Sequence, residues 1–411
     1  QVITVIPGYA PMGIPDQAIR GATIDLQLRQ RFVSQELRLA GGSDSFDWLV
    51  GGYYFNQHQD QDRQRDVGIN VTFPFALYIR EDYQDERKGY AAFGQASFRP
   101  MEKLELTGGI RYSSEKVTAS GQRVQRSSTG GVLPVTRNSS VDFDNVSLMG
   151  SVGYQVDPDI RVYATVAQGW KAGGINRFPT AATGDLPYKE EESVNYEVGL
   201  KTRLGRLGSF NLALYQIDIK NQQLTNIIPA IPTPISTIDN AASSRVRGFE
   251  GEVTLHPTSA LELSGAFAYS HSRFNNYIRF NSVTDQKDFS GTRFENVPEV
   301  TANASALYRI PLGNGNRVEV FGEYSYVGSI IFQDLTRKSN ASSQLGIPSY
   351  DRVNAKLSYV TENGWNVSMF VNNVLNTFDY NYISADPFLG GDLFVTPLAP
   401  RQFGVVLSKS F

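Results

Sequence analysis

Tight turns and long polar stretches alternate without exception along this chain, and the segments between them repeat with a period of two. The turns carry strong turn chemistry: Gly41-Gly-Ser-Asp-Ser45, Arg99-Pro-Met-Glu102, Asp157-Pro-Asp159, Leu204-Gly-Arg-Leu-Gly208, His256-Pro-Thr258, Pro311-Leu-Gly-Asn-Gly-Asn316 and Thr361-Glu-Asn-Gly364. Between them lie polar stretches near 58–85, 118–140, 172–190, 222–241, 275–295, 331–347 and 377–399, which read as loops. The flanking segments alternate: Val318, Val320, Tyr324 and Tyr326 against Glu319, Phe321, Glu323 and Ser325. Leu104, Leu106, Ile110 and Tyr112 alternate likewise with Lys103, Glu105, Thr107, Arg111 and Ser113. A period of two puts one row on each face of a strand. Because the polar row carries charge each time, it suits a wet lumen better than the dry interface between two packed sheets.

The expected fold is therefore all-β, a transmembrane antiparallel up-and-down β-barrel with short periplasmic turns and long extracellular loops. About fifteen strands can be counted, with a sixteenth before residue 28. Tyr112, Tyr154, Tyr269, Tyr308, Tyr326 and Tyr359 fall near the ends of their apolar rows, where interfacial girdles belong. The chain reaches 411 residues with no apolar run long enough for a transmembrane helix. A strand needs only every second residue apolar, so a barrel escapes that test. A net charge of −3 argues against a nucleic-acid partner, and the absence of cysteine removes disulfides and thiolate metal sites.

No catalytic constellation assembles. The three histidines, His58, His256 and His271, fall in or near a loop, in a tight turn and at a strand end. His256 and His271 are expected at opposite ends of the wall, so they cannot share a metal. Ser270 and His271 are adjacent and point to opposite faces. Gly169-Trp-Lys-Ala-Gly-Gly174 lacks the Gly-Lys-Ser/Thr order of a phosphate loop. Lys189-Glu-Glu-Glu-Ser193 and the group Asp60, Asp62 and Asp66 read as solvated charge. The chain is expected to be no enzyme, with no catalytic residue, no metal site and no covalently bound cofactor.

Several segments resemble TonB-dependent outer-membrane receptors of the siderophore type. They are Val162-Tyr-Ala-Thr-Val-Ala-Gln-Gly-Trp-Lys-Ala-Gly-Gly-Ile-Asn176, Glu191-Glu-Ser-Val-Asn-Tyr-Glu-Val-Gly-Leu-Lys201 and Arg247-Gly-Phe-Glu-Gly-Glu252. Val371-Asn-Asn-Val-Leu-Asn376 with Tyr380, and then Pro400-Arg-Gln-Phe-Gly404, look like the family's last two strands. Ser34-Gln-Glu-Leu-Arg-Leu39 and Asp47-Trp-Leu-Val-Gly-Gly-Tyr53 look like a strand pair some way into the barrel. The resemblance implies residues 30–411 as a partial barrel domain of an expected 22 strands, and 1–29 as an extracellular loop remnant with a possible partial strand. The plug domain and about six strands that the family carries ahead of this point are not seen. An unclosed wall exposes unpaired backbone to lipid, so this length alone is not expected to form a stable pore.

The resemblance further implies a bacterial outer-membrane location and import of a scarce bulky nutrient, with a ferric siderophore the first candidate ligand. Implied partners are outer-membrane lipid, the TonB complex acting through the plug, the barrel assembly machinery reading the terminal Phe411, and a small-molecule ligand. A monomer is expected. Ligand contacts are expected from aromatic and basic residues of the outer loops, suited to anionic, ring-bearing ferric chelates. These are Phe73, Phe75, Tyr78 and Arg80, then Trp170, Lys171, Arg177, Phe178 and Tyr188. Phe332 and Arg337 follow in a later loop, and Tyr380, Tyr382, Phe388 and Phe394 in the last. The alternative is a passive porin-like channel of about 16 strands.

Overall fold

The structure, a computed structural model, describes residues 4–6, 17–70, 75–127, 132–176, 187–228, 235–280, 286–334, 344–385 and 393–410. Among the described residues fifteen long antiparallel strands follow one another in a wall. The first five are β1 (Gln17–Gly42), β2 (Phe46–Asn70), β3 (Phe75–Met101), β4 (Leu104–Ser127) and β5 (Val132–Asp157). Next come β6 (Ile160–Lys171), β7 (Glu191–Arg203), β8 (Gly208–Ile228), β9 (Ile235–Leu255) and β10 (Leu261–Phe280). The last are β11 (Val300–Pro311), β12 (Arg317–Val327), β13 (Tyr350–Val360), β14 (Trp365–Asn372) and β15 (Gln402–Lys409). Each pairs with its sequence neighbour, the up-and-down topology expected from the alternation of turns and loops. Among the described residues no ladder joins β15 back to β1. No described helix is long and apolar enough to cross a membrane.

The expected tight turns all lie at one end of the wall. In the turn after β11 the left-handed backbone at Gly313, Asn314 and Gly315, with φ of 80°, 49° and 71°, uses residues that tolerate it. At that end Asp47, Arg99, Glu105 and Arg161 form a chain of ion pairs across β2 to β6, with Arg99 3.2 Å and Arg161 2.6 Å from Glu105.

One face of the wall is apolar and open. Ile110 is 56% exposed and Leu214 49%, and Tyr112, Tyr154, Tyr308 and Tyr359 are exposed on the same kind of row. Tyr154, Tyr308 and Tyr359 sit near the tight turns, whereas Tyr112 and Tyr269 sit farther up, so two aromatic levels bound the apolar band. From Leu104, which pairs with Tyr154, to Tyr112 is eight residues along β4, about 26 Å at strand rise. Counted inclusively that is nine residues, within the roughly 9–11 that a tilted transmembrane strand uses. The opposite face, which carries Arg111, Tyr163 and Glu197, is the lumen face.

The polar stretches differ from expectation. Much of 58–85, 118–140, 222–241 and 275–280 is strand rather than irregular loop. β2 and β3 pair continuously from Phe46↔Phe98 to Ile69↔Phe75, and β3 and β4 from Leu77↔Ser127 inward. β1 begins at Gln17, ahead of the residue 30 from which the wall was expected. The reason is physical. Above the apolar band the outward face turns polar, so the period of two that marks a strand disappears, while the backbone ladder continues undisturbed. Cross-strand charges accompany it: Arg80 lies 3.3 Å from Asp62, and Glu81 receives Arg63 at 3.8 Å and Arg123 at 3.6 Å. Among the described residues the stretches 172–190, 331–347 and 377–399 hold short pairings, Gly174–Ile175 with Pro187–Tyr188, Ile330–Asp334 with Gln344–Ile347, and Tyr380–Ala385 with Leu393–Pro397.

Candidate functional site

The described parts of the connection between β6 and β7, residues 172–176 and 187–189, lie against the lumen face as a strap. Ala172, Gly173, Gly174 and Ile175 are buried, and Ala172 and Ile175 pack against Tyr83 of β3, Val117 and Ala119 of β4 and Phe143 of β5. Those residues share the face opposite Tyr90, Ile110 and Tyr112, which places the strap inside. Its glycines are required by proximity. A Cβ on Gly173 would stand 2.2 Å from the Tyr188 carbonyl oxygen and 2.5 Å from the Phe143 ring.

Polar side chains tie the strap on both sides. Asn176 donates from Nδ2 to the Ile238 carbonyl at 2.9 Å and accepts the Ile238 amide on Oδ1 at 2.7 Å, reproducing a rung of β-ladder with β9. Arg137 of β5, itself buried, donates to the Asn176 carbonyl. Gln223 of β8 donates to the carbonyls of Ala172 at 2.9 Å and Lys189 at 3.0 Å. Asn240 of β9 donates to the Lys189 carbonyl at 2.9 Å and accepts the Lys189 amide at 2.6 Å. Arg87 of β3 donates to the Tyr188 hydroxyl at 3.3 Å. Beside these, Asn226 and Thr237 are buried, and burial pushes the Asp239 carboxyl above its ordinary range, against the partial pull of a hydrogen bond from Asn226. A second buried group, Ala242, Phe274, Tyr277 and Phe289, closes the outer end of β9 and β10, with Phe274 4.5 Å from Tyr277 and 4.7 Å from Phe294 between ring centres.

The residues expected to meet a ligand are distributed unevenly over this arrangement. Trp170 packs against the buried group beneath the strap, and its indole N–H has no acceptor among the described residues. Lys171 ends β6 opposite Glu191, and Tyr188 anchors the strap. Arg80 lies on the side of β3 opposite the buried Ile79 and Tyr83, paired with Asp62 and Asp82, and Tyr78 shares that side. Phe332 and Tyr382, on separate outer hairpins, meet edge-on at 5.2 Å, and Tyr380 meets Phe378 at 5.4 Å. Phe75 and Phe394 lie in strands, with side chains outside the described part. Phe73, Arg177, Phe178, Arg337, Phe388 and Phe411 lie outside the described residues. Among the described residues no three potential ligands group to hold a metal. Asp60 meets His58 at 3.1 Å, while Asp62 meets Arg80.

Asn176, Arg137, Gln223 and Asn240 were not singled out from the sequence. Their signal was the run Ala172-Gly-Gly-Ile-Asn176, small residues followed by an amide, which permits a backbone to lie flat on another surface and be pinned there. The arrangement is a polar, aromatic-lined lumen face with a strap tied against it. It offers hydrogen-bond donors and rings for a bulky polar solute.

A family model described as TonB dependent receptor-like, beta-barrel, matches residues 8–374. The pesticin receptor of Yersinia pestis is 26% identical over 352 residues, covering 85% of this chain and 47% of its own length. The chain thus spans about half the length of the curated relatives it matches. The crystal structure of the ferric yersiniabactin uptake receptor FyuA from Yersinia pestis superposes with a TM-score of 0.77 at 22% identity, over 95% of this chain and 56% of that one. The ferric-catecholate import receptor Fiu of E. coli, in its closed form, gives 0.63 at 15% identity, over 96% and 64%. The copper transporter OprC gives 0.63 at 15% identity, over 98% and 59%.

Proposed function

The chain belongs to the TonB-dependent receptor β-barrel family, and from that premise we propose that it forms the wall and outer hairpins of an outer-membrane receptor importing a ferric siderophore. The observation that carries the reading is the strap. A lumen wide enough for a bulky chelate would leak. Here the described strap lies on the lumen face, tied to β3, β4 and β5 on one side and to β8 and β9 on the other. Ferric yersiniabactin and ferric catecholates are cargo of the receptors named above, which supports an iron chelate. The copper transporter shares the same architecture, so the fold alone does not select the ligand. Phe332, Tyr382, Trp170 and Lys171 are the described residues nearest in chemistry to an anionic, aromatic cargo. The exposed apolar band and its two aromatic levels support insertion in the outer membrane, and the family relation supports energy supply through TonB.

The test is uptake of iron-loaded siderophores by cells carrying the native gene or its deletion, with TonB present or disabled. Saturable, TonB-dependent uptake is expected. A native protein that instead conducts ions steadily in a planar bilayer, with uptake unaffected by loss of TonB, would replace this reading with the passive channel. Intact mass from outer-membrane extracts adds a second check. A gated receptor should exceed 45.5 kDa by about 25–35 kDa, a rough allowance for a plug of ordinary domain size plus the further strands.

A further inference from the structure

Four residues on β9 and β10 break the rule that the outward face is apolar. Residues paired across neighbouring strands share a face, so rows can be followed through the register. Val198, Leu214, Phe249 and Tyr269 lie side by side on β7 to β10, and Leu214 and Phe249 are exposed. The next row toward the loops holds Tyr196, Gln216, Arg247 and His271, and the one after it Val194, Asp218, Arg245 and Arg273. Three guanidinium groups and an imidazole therefore stand outward, directly above an aromatic edge in which Phe249 contacts Phe267 at 5.5 Å and Tyr269 at 5.9 Å.

Their partners leave an excess of positive charge. Arg245 meets Asp218 at 2.5 Å and Arg273 meets Glu299 at 2.7 Å. His271 lies 3.4 Å from the same Glu299, which Arg293 also approaches at 3.9 Å. Arg247 donates from Nε to the neutral Gln216 Oε1 at 2.8 Å; among the described residues no carboxylate is in ion-pair contact with it, and Asp218, already held by Arg245, feels its charge only at longer range. The equivalent rows on β3 to β5, Tyr90, Ser114 and Asp144, then Lys88, Lys116 and Asp142, carry acids alongside their bases. The excess is local. Arginine on a lipid-facing wall is costly at mid-bilayer and nearly free at the interface, where lipid phosphates lie, and its planar fork fits phosphate oxygens.

We propose that Arg245, Arg247, His271 and Arg273 form an outward-facing docking site for the phosphate of an anionic lipid headgroup in the outer leaflet. The site rests on the membrane placement given under the proposed function. It holds a lipid against the wall at the level where the apolar band ends.

The experiment uses the full-length receptor from outer membranes, reconstituted in nanodiscs of phosphatidylcholine containing a minor share of phosphatidylglycerol. Retained lipid is counted by native mass spectrometry, and folding is checked by heat-modifiable gel mobility. Wild type should retain phosphatidylglycerol well above its bulk share. Arg247→Gln, which leaves the Arg245 and Arg273 ion pairs in place, should lower that enrichment about tenfold, the worth of one charge-assisted bond. Arg247→Lys should keep most of it. Equal retention in folded wild type and Arg247→Gln, or displacement by inorganic phosphate at matched concentration, overturns the lipid site alone. A wild-type protein that never enters the nanodisc overturns the membrane placement and this site with it.

Discussion

Removing the Asn176 side chain should release the strap at one identifiable point. Asn176→Ala deletes the donor to the Ile238 carbonyl and the acceptor for its amide. Each such bond contributes about 0.5–1.5 kcal/mol net, and both backbone groups of Ile238 lose their partner at once. The loss is therefore about 1–3 kcal/mol, or roughly a five- to 150-fold rise in local opening. The packing of Ala172 and Ile175 on Val117, Ala119 and Phe143 remains, so the rest of the wall should hold. Hydrogen exchange read by mass spectrometry on the folded receptor reports this directly. Peptides covering Thr237–Ala242 and Ala172–Asn176 should exchange faster in the variant, while those from β11 to β14 do not change. Unchanged exchange at Ile238 would refute the bridging role of Asn176, and uniform acceleration over the wall would refute the claim that the strap is a separate unit.

Other consequences are open to measurement. Asp239 is held protonated more readily than an unfolded aspartate because it is buried, so its contribution is full below the ordinary carboxylate range and is lost as pH rises through its raised value. The β8–β9 hairpin should be better protected at pH 4 than at pH 7 after correction for intrinsic exchange, and Asp239→Asn should flatten that difference; protection that grows with pH in wild type would contradict the assignment. Ile110→Arg, on the apolar outward row, should cost about 2–4 kcal/mol if it lies near mid-bilayer, whereas Thr107→Arg on the lumen face should cost little, and refolding yields followed by heat-modifiable mobility separate the two. Phe332 and Tyr382 meet edge-on, so a double-mutant cycle to alanine should give a coupling of about 0.5–1.5 kcal/mol; additive single effects would mean the two outer hairpins do not brace each other.

Alternation and turn chemistry were enough to define the fold. Lys103 to Ser113 encode one lipid-facing and one lumen-facing row, and Pro311-Leu-Gly-Asn-Gly-Asn316 can only turn, because its backbone needs residues free to adopt positive φ. These are local properties, governed by a period of two and by sterics, so a single sequence carries them. The outer half of the wall is different. Gln57 to Arg65 reads as a polar loop because neither face meets lipid, yet each residue pairs on β1 and β3 through backbone groups that are the same for every side chain. The strap was equally hidden. Its direction depends on Phe143, Val117 and Arg137 on one side and Gln223, Ile238 and Asn240 on the other, brought together from well-separated parts of the chain. Sequence determined which strand rows are apolar and which polar; only the tertiary structure decided that Ala172 to Asn176 turn inward, because burial of Ala172 to Ile175 requires surfaces that exist only once β3 to β9 have curved around them.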